Sequence, residues 1–258
     1  MKGIAVITGA SSGIGKALAL EFAKRGDDLL LHGRNTQALQ NLASEIRSQY
    51  GVEAEIITAD LGDANAADEF AAELAKRDVA VLVNNAGFGV KGDFIETELS
   101  EELAMIEVQL SAMLRLTKAV ISQMKERHSG LILNVASVYS FSPVPQQSAY
   151  AASKSFIYSF SSSIRSELRA SGVGVSVLAP GITQTEFRTR AGIADKKGAG
   201  MSAEAVAEIA VEQALSGKFL IVPGLQNKAF VFVTRHLPVS LSARLIEFIN
   251  SRRGLKKA

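Results

Sequence analysis

Seven short, almost unbroken aliphatic runs, each followed or preceded by a longer stretch with helical apolar spacing, limit what this chain can fold into. The runs are IAVIT (4–8), DLLLH (28–32), EAEIITA (53–59), VAVLVN (79–84), GLILNVAS (130–137), GVSVLAP (174–180) and FLIVP (219–223). A strand with one face in water alternates apolar and polar residues, whereas a strand covered on both faces has no such need. Amphipathic stretches lie between the runs, at 14–25, 36–49, 64–76, 100–126, 149–170 and 203–216. Repeated β-then-α order predicts an α/β fold, a doubly wound Rossmann-type parallel sheet of about seven strands with helices on both faces. No linker or low-complexity segment interrupts the pattern, so 1–258 is expected to form a single Rossmann-type domain, with 225–258 as its C-terminal extension.

Several function classes are disfavoured at the outset. The chain has no cysteine, which removes disulfides, thiolate metal sites and cysteine nucleophiles, and its three scattered histidines make a metal centre an unpromising expectation. A net charge of +2 provides no general field for nucleic acid. The first predicted strand begins at residue 4, without a secretory pattern before it, so a cytoplasmic location is expected.

Ligands of doubly wound sheets bind beyond the carboxyl ends of the strands. After the first run comes TGASSGIG, in which Gly9, Gly13 and Gly15 follow a G-x3-G-x-G spacing into the next helix. Such a turn lets a ligand approach the backbone, and the helix start offers free N–H groups to a pyrophosphate. After the second run, an acid would be expected to hold an adenosine ribose, but Gly33 stands there and Arg34 follows. A guanidinium pairs with phosphate in a charge-assisted, bidentate manner, which favours NADP(H), with NAD(H) as the alternative. TADL places Asp60 near the adenine, and VNNAG places Asn84, Asn85, Ala86 and Gly87 under the cofactor.

The stretch SAYAASKSF sets Tyr150 and Lys154 four apart, on one face of a helix. A nearby ammonium favours phenolate and lowers a pKa that is ordinarily about 10. With TGASSGIG, ADL, NNAG, Ser137 in NVASV, YAASK and PGITQT following in order from residue 3 to about 223, the chain resembles the short-chain dehydrogenase/reductase family. The resemblance implies reversible hydride transfer between a nicotinamide and a carbonyl or secondary alcohol. Tyr150 would be the proton donor, Ser137 the partner of the substrate oxygen, and Lys154 the group that holds the ribose and lowers the phenol's pKa. The implied cofactor cradle comprises Gly9, Ser11, Ser12, Gly13, Ile14, Gly15, Arg34, Asp60, Leu61, Asn85, Ala86 and Gly87. Tyr150 and Lys154 also belong to it, with Pro180, Gly181, Ile182, Thr183 and Thr185 on the carboxamide and phosphate side. The family usually has an asparagine in the long helix after the fourth strand, where its backbone carbonyl helps hold a water in a proton path. Gln109 stands at that place here. A homodimer or homotetramer through the helices at 100–126 and 149–170 is also implied.

Three loops, at 87–94, 138–147 and 185–200, are expected to wall the substrate, the third as a lid. Phe88, Val90, Val138, Phe141 and Val144 suggest an apolar carbonyl compound. From 225 onward, seven lysines and arginines stand against one acid, Glu247, and 239–250 has helical apolar spacing. A helix over the substrate pocket or at a subunit contact is the preferred expectation for this segment. A membrane-contacting tail, as in a membrane-associated lipid-carbonyl reductase, is the alternative. A non-catalytic dinucleotide-binding sensor or scaffold is the other function considered.

Overall fold

Seven parallel strands carry the molecule, in the order 54–58, 29–33, 4–8, 79–84, 130–135, 173–178 and 220–221. The structure is a computed structural model that describes residues 3–192 and 200–252. Its elements run β1 (Ile4–Thr8), α1 (Gly13–Lys24), β2 (Leu29–Gly33), α2 (Thr36–Tyr50), β3 (Ala54–Thr58), α3 (Ala64–Leu74) and β4 (Val79–Asn84). There follow α4 (Leu99–Ile106), a π-helical turn (Glu107–Ser111), α5 (Ala112–Glu126), β5 (Gly130–Val135), a 3-10 turn (Val138–Phe141), α6 (Ser148–Glu167) and β6 (Val173–Leu178). The chain continues through β7 (Thr183–Gln184), α7 (Phe187–Arg190), β8 (Met201–Ser202), α8 (Ala203–Leu215), β9 (Leu220–Ile221), α9 (Leu225–His236) and α10 (Val239–Arg252).

The aliphatic runs are explained by two cores back to back. Ala5, Ile7, Leu29, Leu31, Val81 and Leu133 pack under α1, α2 and α8 on one face, among them Leu18, Phe22, Leu39 and Ala210. Their alternate neighbours Val6, Leu30, Leu82 and Ile132 pack under α3 and α5 on the other, against Leu74, Leu116 and Val120. Each fully buried aliphatic side chain contributes roughly 1.5–3 kcal/mol. A polar substitution on either face of the central strands is therefore costly.

Helix starts divide into two kinds. Asn35 caps α2 by accepting from the Ala38 N–H at 3.0 Å, Asp63 caps α3 from the Asn65 N–H at 2.8 Å, and Ser202 caps α8 from the Ala205 N–H at 3.1 Å. Such caps contribute about 1 kcal/mol each. Ser12, at the cap position of α1, makes no such bond. The first turn of α1 therefore has no side-chain partner for its N–H groups, as is also true of α4, α6 and α9.

The expected helix over 100–126 forms with one change: its middle widens into the π-helical turn at 107–111, centred on Gln109. An inserted residue of this kind bends a helix and reorients the side chains it carries. The extension at 239–250 forms α10 as expected, whereas α9 has no counterpart in the predicted elements. Of the expected lid at 185–200, residues 193–199 lie outside the described residues, as do Arg253, Lys256 and Lys257 of the basic tail. No helix among the described residues is long and apolar enough to cross a membrane.

Candidate active site

A cleft of about 1110 Å³ opens beyond the carboxyl ends of the strands, where the strand order reverses between β1 and β4. Gly9 and Gly13 turn the chain there with φ of +67° and +57°, values that a side chain would strain. A Cβ at Gly15 would collide with the Gly9 carbonyl oxygen and the Asn85 amide, so α1 starts against the strand ends only without one. The turn is held by Thr8. Its Oγ donates to the Val83 carbonyl at 3.1 Å and accepts from the N–H groups of Asn85 at 2.9 Å and Ala86 at 3.0 Å. The Asn85 side-chain amide donates to the Thr8 carbonyl at 2.9 Å.

At the far end, Arg34 faces Asp60 at 3.7 Å, both largely exposed, and Asp60 accepts from the Gly62 N–H at 2.9 Å. Ser11 lies beside Gly33, whose missing side chain would stand 3.4 Å from the Ser11 Oγ. One hydroxyl and one guanidinium thus border the position where an acid was expected. Beneath them His32 is 2% exposed and stacked on Phe70 with ring centroids 4.7 Å apart. Burial holds its pKa down at about 4, against 6.5 ordinarily.

Ser137, Tyr150 and Lys154 converge at the other end. Ser137 leaves β5 and enters the 3-10 turn, and its Oγ accepts from the Tyr139 N–H at 3.2 Å and shares a hydrogen bond with the Tyr150 phenol. The Ser140 Oγ donates to the Lys154 carbonyl at 2.9 Å, fastening that turn to α6. Lys154 Nζ lies 5.6 Å from the centre of the Tyr150 ring and donates to the Val135 carbonyl at 3.0 Å. Burial pushes the phenol up, with the Ser137 hydrogen bond only partly opposing it, and burial brings Lys154 down to about 7.

Apart from Asn84, the expected cofactor residues line this one cleft together with Ser137, from Gly9, Ser11, Ser12, Gly13, Ile14 and Gly15 through Arg34, Asp60, Leu61, Asn85, Ala86 and Gly87 to Tyr150, Lys154, Pro180, Gly181, Ile182, Thr183 and Thr185. The Thr185 methyl would be 3.1 Å from a Cβ at Gly13, which joins the segment after β6 to the glycine turn. Gln109 is placed differently. It is 2% exposed beneath the cleft, its side-chain amide donating to the Phe88 carbonyl at 2.6 Å and its Oε1 accepting from the Ser153 Oγ at 3.3 Å. Gln109 and Lys154 border a small cavity of about 10 Å³, at the lower limit for one water. Asn84 is not under a cofactor. It is buried in the sheet, donating to Asn134 Oδ1 at 2.8 Å and Thr117 Oγ1 at 3.2 Å, while Asn134 donates to the Ser161 Oγ at 2.8 Å.

The substrate end differs in part from expectation. Phe88 and Val138 line the cleft, but Val90 packs behind it on Met105, Phe141 packs on Tyr158, and Val144 packs on Ile246. Tyr139, Phe187, Phe230 and Ile249 complete the apolar wall. From α9, Asn227 presses on Gly181, leaving no room for a side chain there. Thr8, His32, Asn134 and Asn227 were not singled out from sequence. A polar residue ending or interrupting an aliphatic run (Thr8, His32, Asn134) was the available signal, and Asn227 had none.

The sequence matches the short chain dehydrogenase family over residues 3–195. The very-long-chain 3-oxoacyl-CoA reductase of Anas platyrhynchos is 37% identical over 188 residues, 71% of this chain; the match spans 60% of that relative's length. A short-chain dehydrogenase from Sphingobium yanoikuyae, solved in complex with NADPH, has a TM-score of 0.83 at 31% identity, covering 98% of this chain and 94% of its own. The bulky-bulky ketone specific alcohol dehydrogenase from Comamonas testosteroni has a TM-score of 0.78 at 27% identity, covering 98% and 93%.

Proposed function

The chain belongs to the short-chain dehydrogenase family of oxidoreductases, and from that premise we propose that it is an NADP(H)-dependent reductase of bulky, apolar ketones. The observation that carries the proposal is one cleft with a glycine turn and Arg34 at one end and Ser137, Tyr150 and Lys154 at the other. The residues present suit a phosphorylated dinucleotide. Gly9 and Gly13 turn the chain with positive φ at the strand ends, the start of α1 lacks a side-chain cap, and Arg34 with Ser11 supplies donors where NAD-selective folds place an acid. The S. yanoikuyae relative in complex with NADPH supports the same preference. The apolar wall of Phe88, Tyr139, Phe187 and Phe230, with the named ketone specificity of the C. testosteroni relative, supports the substrate class.

When bound, the nicotinamide supplies or takes the hydride. The chain handles the proton and the oxygen. Tyr150 gives its phenolic proton to the substrate oxygen in the reductive direction, and the Ser137 hydroxyl hydrogen-bonds the same oxygen as negative charge develops on it. Lys154, which donates to the Val135 carbonyl in this structure, would hold the ribose and steady the phenolate that remains. The small cavity that Lys154 and Gln109 border supports a path for replacing that proton. Assembly belongs to the same proposal: α4, α5 and α6 expose Leu99, Leu103, Leu114 and Phe156, which a second copy covers in a homodimer.

The test is binding of NADPH and NADH to purified protein, followed by nicotinamide fluorescence, then cofactor oxidation across a panel of ketones. Tight NADPH binding with turnover that vanishes in Tyr150→Phe is the expected result. Failure to bind either nucleotide would refute it.

A further inference from the structure

The two C-terminal helices each have two faces with different tasks. Inward, Phe230, Ile246 and Ile249 line the cleft, while Val231 is buried behind them. Outward, positions 225, 228, 229, 232, 233 and 236 of α9 share one helical face and are exposed. Leu225 is 82% exposed, Phe232 66%, and Val239 at the start of α10 69%. This is more aromatic and aliphatic surface than scattered surface residues account for.

Charge identifies what the face meets. Lys228, Arg235 and Arg244 are exposed on these helices, and Glu247 is the one acid in 225–252. A second apolar patch, with Phe94, Ile95, Leu99 and Leu103 exposed, is bordered instead by Glu96, Glu98 and Glu101. Anionic headgroups would attract the first patch and repel the second.

We infer that the outer face of α9 and α10 docks on an anionic lipid surface, with the cleft behind it facing the bilayer boundary. An exposed apolar face with flanking lysine and arginine is what binds in the headgroup region without crossing it. Apolar substrate dissolved in the bilayer then enters under the helices that roof the cleft. That delivery step rests on the reductase proposal, whereas the docking does not.

The experiment is flotation of the full chain with vesicles of phosphatidylcholine alone or mixed with phosphatidylglycerol. Binding to the anionic vesicles alone, weakened by salt, is expected. Phe232→Ser should reduce it about tenfold and Lys228→Glu about fivefold. Leu103→Ser should leave it unchanged. Both Phe232→Ser and Lys228→Glu should retain NADPH oxidation with a water-soluble ketone, which shows that they are folded. Binding indifferent to phosphatidylglycerol, or unchanged in Phe232→Ser, would overturn the inference. A Phe232→Ser protein that changes its oligomeric mass would overturn it too, by giving the face to a second copy. A chain that docks but reduces nothing would break the reductase proposal and leave the docking face standing.

Discussion

The cleft has two ends made of different material. At the glycine turn its surface is main chain: strand ends, positive-φ glycines and the first N–H groups of α1, held by Thr8 and Asn85. Under α9 and α10 its surface is side chain, with Phe230, Ile246 and Ile249 arriving from elements far along the chain. Main chain presents the same groups whatever the neighbouring residues are, so it suits a ligand of fixed chemistry. Side chains change with each substitution, so they suit a ligand that differs from one relative to the next.

Tyr150, where the two ends meet, should show the largest effect. Tyr150→Phe is expected to lower turnover by about a thousandfold while NADPH binding stays within a few-fold, measured by steady-state rates and fluorescence titration. A parallel loss of binding would mean that the ends are not separable. The second effect concerns stability. His32 stays neutral in the folded chain down to about pH 4 but protonates near 6.5 when unfolded. Its contribution is therefore fully present above pH 6.5 and is lost as pH falls toward 4, amounting to up to about 3 kcal/mol. Denaturant titrations across that window should show the slope, and His32→Leu should flatten it. Next, Arg34→Leu should raise the KM for NADPH about tenfold and leave NADH kinetics unchanged, which would sharpen the division between the adenosine and substrate ends. Smallest is Gln109→Asn, which should keep hydride transfer and change turnover by less than about threefold, since it shortens a side chain outside the cleft. A large gain in turnover would show that Gln109 impairs the proton path.

Legibility from sequence follows the same division. The runs at 4–8 and 79–84 coincide with β1 and β4 because a doubly covered strand leaves an unmistakable aliphatic signature. The glycine turn and the Tyr150–Lys154 pair were legible because only a few residue types satisfy those geometries. The helix at 225–236 was not, since the Phe-Val-Phe-Val sequence within it has β-branched and aromatic residues that carry no helical signal of their own. Its conformation is set by packing on the 3-10 turn and α6. The buried roles of Gln109 and Asn84 were also hidden, because a side chain's direction depends on helix widening and sheet depth that a linear pattern does not encode. Burial also pushes the Tyr150 phenol up, a property of the folded surroundings that residue spacing does not encode.

The paired asparagines within the sheet also bear on how the chain finds its alignment. β4 and β5 are aliphatic ladders in which a slide by two residues would return every side chain to its own face. Hydrophobic contact alone hardly tells the two alignments apart. Asn84 and Asn134 do, since they stand directly opposite each other and the second reaches Ser161 of α6. After such a slide each amide would sit among aliphatic neighbours with its hydrogen bonds unmade, at a cost of about 1–3 kcal/mol for each orphaned group. The polar rung acts as an index mark, and it registers not only two strands but also the helix that bears Tyr150 and Lys154.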